Sequence, residues 1–110
     1  MHFGSGGELA HQARIARTLG SPFVAAVLEA AERHLASAPR TGALIRGWPG
    51  DPRAAALGMR LNAAIHALAR LGRPQVLSDL YERKHSDFDA AVAAALAMED
   101  EFIADWMRDP

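Results

Sequence analysis

The chain has 110 residues, a formal net charge of −1 and no cysteine, which excludes a second sizeable domain, a disulfide framework and a thiolate metal site. Half of the residues are hydrophobic but 24 of the 110 are alanine, so helices can approach closely while each contact buries little area, and the expected core is modest. The start, Met1-His2-Phe3-Gly4-Ser5, has no basic-then-apolar leader, and no uncharged run is long enough to span a bilayer; the expectation is a cytoplasmic chain without a membrane partner.

The first helical pattern covers about Glu8 to Leu19, with Leu9, Gln12, Ala16 and Leu19 at three- and four-residue steps and Gly20 just beyond its end. The preceding Gly4-Ser5-Gly6-Gly7 lacks the lysine of a phosphate loop and reads as a frayed terminus. Ser21-Pro22 supplies a cap and then proline at the first helical position, and Val24, Val27, Leu28, Ala31 and Leu35 stripe a second helix to about Ala38, where Pro39 stops it. A short helical turn is read over Thr41 to Arg46, with the weakest signal of the chain because of Gly42 and Gly47. Asp51-Pro52 repeats the cap-then-proline device and predicts a central helix of about five turns carrying Leu57, Leu61, Ala64, Ile65, Leu68 and Leu71.

Gly72 and Pro74 end that helix, and Val76, Leu77, Leu80 and Tyr81 form a short one. Ser86 as N-cap, with Asp87 and Asp89 near the positive end of the macrodipole, opens one last helix through Phe88, Val92, Ala95, Leu96, Phe102, Ile103 and Trp106. No segment alternates as a strand does. The fold class is all-α: a compact bundle of about four main helices plus one or two short ones, irregularly or orthogonally packed, with residues 1–110 as a single domain. Charge is divided along it. Residues 1–86 hold eleven basic and six acidic side chains, and residues 87–110 hold one and seven, as expected of an acidic helix lying beside a more basic body.

Few residues suggest chemistry. The histidines at 2, 11, 34, 66 and 85 form no close pair, and Glu82-x-x-His85 is half of a di-iron pattern that needs two copies. Glu99, Asp100, Glu101, Asp105 and Asp109 read as a solvated acidic face. The serines include no nucleophile elbow. A helix-turn-helix drawn through Ala67 to Ala95 would lay an acidic helix against phosphates, so no nucleic-acid partner is expected. No catalytic, cofactor-binding or metal residue is assigned. Four positions are kept for a ligand or an interface: Trp48, which reads as a plug of its inter-helix corner, Asp51, His66 on the central helix, and Trp106 on the last.

Gly20-Ser21-Pro22-Phe23, then Trp48-Pro49-Gly50-Asp51-Pro52, then Leu61-Asn62-Ala63-Ala64-Ile65-His66-Ala67-Leu68 and Gly72 follow one another in an order and spacing that resembles the amino-terminal part of the uncharacterised bacterial family called domain of unknown function 2332. The likeness runs over nearly all of the chain after about Gln12. Gly20, Pro22, Trp48, Gly50, Asp51 and His66 are the positions matching its pattern; Tyr81-Glu82 departs from it, where the family tends to have tyrosine followed by proline. The resemblance implies a helical region of a longer protein, in which a glycine-rich segment similar to a methyltransferase cofactor loop lies outside this chain. The end at Pro110, directly after an aromatic-bearing helix, fits a piece of such a protein. The leading expectation is therefore a non-catalytic accessory or interaction domain, without cofactor, that docks the missing C-terminal domain or a second copy through the face carrying Phe102, Ile103 and Trp106. The alternative is a substrate- or ligand-binding cap of a methyltransferase-like enzyme, with Trp48 and His66 lining its pocket.

Overall fold

The computed structural model describes residues 5–51 and 55–108, with side chains from residue 9 onward. The helices are α1 Ser5–Thr18, α2 Pro22–Arg33, α3 Pro39–Arg46, α4 Leu57–Leu71, α5 Gln75–Tyr81, α6 Phe88–Met98 and α7 Asp100–Arg108, with a 3-10 turn at Leu35–Ser37. No strand occurs among the described residues, and the all-α reading holds. Four helices are long and three are short. α4 is central and packs against α1, α2, α5, α6 and α7, because its stripe of Leu57, Leu61, Ala64, Ile65 and Leu68 is fully buried.

The expected punctuation is met at some boundaries. Pro22 opens α2, although the Ser21 side chain makes no cap hydrogen bond. Gly72 closes α4 in the left-handed conformation, with φ 70°, and the Arg73 N–H reaches back to the Leu68 carbonyl at 3.0 Å.

Elsewhere the chain departs from the local reading. α1 begins at Ser5, so Ser5-Gly6-Gly7 is helical and not a frayed end; Gly4 lies outside the described residues. α2 stops at Arg33 instead of Ala38: the chain tightens into the 3-10 turn, which drives Leu35 into the core, and Ala38 is held extended before Pro39. The short turn read over Thr41 to Arg46 is there and is longer, starting at Pro39 as helix α3. Asp51 is not the cap of α4. Its carbonyl accepts from the Ala55 N–H at 3.0 Å, and the left-handed Ala56, φ 54°, interrupts the chain before α4 starts at Leu57; Pro52 lies outside the described residues. The cap of α6 is Asp87, whose carboxylate accepts from the Ala90 N–H at 3.0 Å, and not Ser86.

The largest correction concerns the last helix, which is two. Glu99 breaks it, and of the acidic run Glu99 and Asp100 are drawn into the fold, while Glu101 and Asp105 stay exposed as expected. The Asp100 carboxylate accepts from the backbone N–H groups of Arg40 and Thr41, each at 2.8 Å, and from the Thr41 hydroxyl at 2.7 Å. Those are donors of the first turn of α3, which Ala38 at the cap position leaves without a side-chain partner. Glu99 accepts from Arg73 Nε at 3.2 Å. The bend lets α7 cross α3 and α4 and bury Ile103, Ala104 and Met107. At its far end the Met107 carbonyl accepts from Arg60 Nη1 at 2.8 Å.

The remaining described acids of this half also have partners within the chain, and Asp109 lies outside the described residues. Asp89 accepts from Arg33 Nε and from His34 Nε2, each at 2.8 Å, Glu101 faces Arg40 at 3.8 Å and Asp105 faces Arg108 at 3.1 Å. The charge division along the sequence is thereby largely cancelled in space.

Close packing is strictest where α1 meets α4. A Cβ placed on Gly58 would lie 2.6 Å from Gln12 Cβ and would also strike Gln12 Cγ, atoms too near the backbone to swing aside.

Three outcomes follow. Gly58→Ala, worth a gain of about 1 kcal/mol by helix propensity alone, is expected to lose about 1–2 kcal/mol through overpacking; a Tm equal to or above that of the wild type in thermal denaturation would contradict the contact. Asp100→Asn leaves the first turn of α3 short of acceptors and should cost about 2–3 kcal/mol in urea unfolding, far more than Glu101→Gln, whose ion pair is exposed. The Asp89 carboxylate is held below its ordinary range by the hydrogen bond from Arg33 and then by that from His34. Its stabilisation is therefore present above the unfolded value of about 4 and lost as pH falls through the lower folded value. Asp89→Asn should lower Tm at neutral pH, with the gap to wild type closing in strong acid; a gap that does not change with pH would refute the charge-assisted bond.

Candidate functional site

Four rings from four helices make a row across one face. Phe23, in the first turn of α2, meets Tyr81, the last residue of α5, edge-on with centroids 4.9 Å apart, and meets Phe88 at the start of α6 at 5.2 Å. Tyr81 in turn lies 5.5 Å from the imidazole of His66, which is exposed on α4. Edge-to-face geometry of this kind contributes about 1 kcal/mol per pair beyond the area buried.

Two adjoining clefts open on this row and share His66 and Tyr81. One, of about 260 Å³, is lined by Phe23, Val24, Asn62, His66, Tyr81 and Arg83. The other, of about 140 Å³, adds Ala69, Arg70, Ser78 and Glu82.

The side chain at the rim is placed by an unusual backbone. α5 ends with the Arg83 N–H on the Leu80 carbonyl and the Lys84 N–H on the Asp79 carbonyl, and Arg83 sits in the left-handed region with φ 65°. Glycine or asparagine suits that position, and a long side chain there costs roughly 1 kcal/mol. The guanidinium lies 4.4 Å from the Phe23 ring centroid, a cation–π contact that returns about 0.5–1 kcal/mol.

The chemistry of the clefts favours holding over turnover. The Tyr81 hydroxyl is enclosed without a hydrogen-bond partner, and burial pushes its pKa up to about 12, so at neutral pH it is a proton donor. Ser78 donates to the Ala69 carbonyl at 2.6 Å, a bond that ties α5 to α4 and activates no nucleophile. Glu82 is paired with Lys84 at 3.1 Å. Arg70 has no ion-pair partner among the described residues. What remains at the mouth is two guanidiniums, an imidazole and the Asn62 amide above aromatic walls.

The four positions singled out from sequence do not line one cleft. Trp48 is half-buried against the core, with the Arg60 guanidinium 5.2 Å from its ring centroid, and it lines neither cleft. Asp51 is exposed in the loop before α4. His66 is the one that reaches the clefts. Trp106 stacks on Phe102 at 5.9 Å, and its indole N–H is enclosed without a partner. The apolar face expected to dock a partner is partly closed: Ile103 is fully buried, and Phe102 and Trp106 are half-buried against the core.

Exposed apolar surface lies instead on α1 and the turn after it, where Leu19 is 79% and Ile15 38% exposed. With His11, Arg14 and Thr18 they line an open groove. The periodicity assigned Leu19 to the inner stripe of α1, and the chain turns outward before it.

Phe23, Tyr81 and Arg83 were missed as site residues, since each reads locally as a helix boundary. Among the described residues no group of three or more His, Asp or Glu side chains is placed to hold a metal, and no helix is long and apolar enough to cross a membrane.

Searches among curated proteins and among solved structures found no match to this chain. The family described as "Uncharacterized protein conserved in bacteria (DUF2332)" matches residues 7–110, a span that takes in the Trp48 corner, all of α4 and the whole cleft. The chain belongs to that family.

Proposed function

We propose that this chain is a non-catalytic helical accessory domain that docks another protein surface, either a further domain of the same protein or a second copy, through the outer face of α1. The observation that carries the reading is the exposure of two large aliphatic side chains one helical turn apart, Ile15 and Leu19, in a groove edged by His11, Arg14 and Thr18. Contiguous apolar surface of this kind marks contact sites, whereas the single exposed residues Met59, Leu71 and Met98 are ordinary surface. A second reading, a ligand-binding cap serving chemistry located elsewhere in the protein, is supported by the ring-walled clefts at Tyr81.

Sedimentation velocity over a concentration series tests the docking face. The wild type should self-associate with rising concentration, and Ile15→Glu or Leu19→Glu should weaken that association by about tenfold or more without lowering Tm. Association unaffected by either substitution would remove α1 as the contact, and a wild-type chain that stays monomeric throughout would remove the second copy as the partner.

A further inference from the structure

The clefts at Tyr81 carry an inference that rests on the second reading above and names the ligand class. We propose that they bind a small planar aromatic acid, with its ring against Phe23, Tyr81 and His66 and its anionic group at Arg83, where Arg70 of the adjoining cleft adds to the positive field.

The walls set the shape. The edge-on rings of Phe23 and Tyr81, 4.9 Å apart, and the tilted pair Tyr81 and His66, 5.5 Å apart, leave apolar surface toward the two openings, and clefts of about 260 and 140 Å³ that share two lining residues suit one or two fused rings and not a dinucleotide.

The sign of the charge follows from which groups are already engaged. Glu82, the one acid in the lining, is paired with Lys84, and the acids of α6 and α7 are engaged with Arg33, His34, Arg40, Arg73, Arg108 and the N-terminus of α3. Among the described residues neither Arg70 nor Arg83 has an ion-pair partner, and the Arg83 guanidinium rests on the Phe23 ring. A planar guanidinium matches a carboxylate or a phosphate through paired N–H groups. The Asn62 amide is placed in the same lining to add a hydrogen bond.

The backbone supplies the independent argument. At φ 65° Arg83 occupies the position after α5 that glycine fills at least cost, and a conformation held against its preference is a pointer to use. If the side chain served only the fold, glycine would do as well.

Titrations followed by backbone and side-chain amide NMR decide the matter, with naphthoate, naphthyl phosphate and the uncharged naphthalenemethanol as probes. Shifts are expected at Asn62, His66, Tyr81 and Arg83, with at least one acid binding about tenfold tighter than the alcohol; the tighter acid tells carboxylate from phosphate. Arg83→Gly should keep or raise Tm while removing the preference for acids, and Arg70→Gln should reduce that preference in part. An alcohol that binds as tightly as both acids, or an Arg83→Gly chain that retains the preference, overturns the ligand class and leaves the cap reading standing. Absence of shifts at the cleft with all three probes overturns both.

Discussion

One carboxylate ties the last helix to the middle of the chain. Asp100 opens α7 and at the same time accepts from the first-turn N–H groups of α3, so a single negative charge serves the positive ends of two helix dipoles. α3 cannot cap itself, because alanine and proline stand where a serine or aspartate would. Thr41, fully buried, closes the arrangement through its hydroxyl. The break at Glu99, the crossing of α7 over α3 and α4, and the burial of Ile103 and Met107 all depend on Asp100 being delivered to that spot.

Such a dependence follows from the alanine content. Alanine lets helices come close, as α1 and α4 do at Gly58 and Gln12, but its small buried area specifies register weakly. Polar latches supply what large side chains would otherwise provide: Asp100 on α3, Ser78 on the Ala69 carbonyl, Arg60 on the Met107 carbonyl, and Asp89 on Arg33 and His34. Each joins residues of different helices. The charge separation along the sequence is accordingly a feature of assembly, with acidic segments added to a body that already holds their partners.

Features encoded within one turn of chain were legible in the sequence. The stripe of α4, Pro22 at the head of α2, Gly72 at the end of α4 and the short helix ending at Tyr81 each follow from residues adjacent to the boundary they set. What escaped depends on distant partners. The break at Glu99 answers to Arg73 and to α3, far away along the chain, and within its own window the segment is uninterrupted helix. Asp51-Pro52 has the composition of a helix start, but α4 begins only after Ala56 turns left-handed, at a residue with no sequence mark. The clefts were hidden for the same reason: of their walls only His66 was noticed, since Phe23 and Tyr81 lie at helix ends and the backbone of Arg83 has no signature in its neighbours.

The two fastenings of α7 have a consequence for how the protein opens. The helix is nine residues long and is fixed at its first residue by Asp100 and near its last by Arg60 on the Met107 carbonyl, where the Arg60 guanidinium also lies over Trp48. A segment pinned at both ends does not fray residue by residue. It releases as a block, and once it has lifted, the side of α4 that it covers is wetted and the first turn of α3 loses its acceptors together. The Trp48 corner thus lies beside one of the two fastenings of α7, and lifting the helix breaks both polar fastenings and exposes Ile103 and Met107 together.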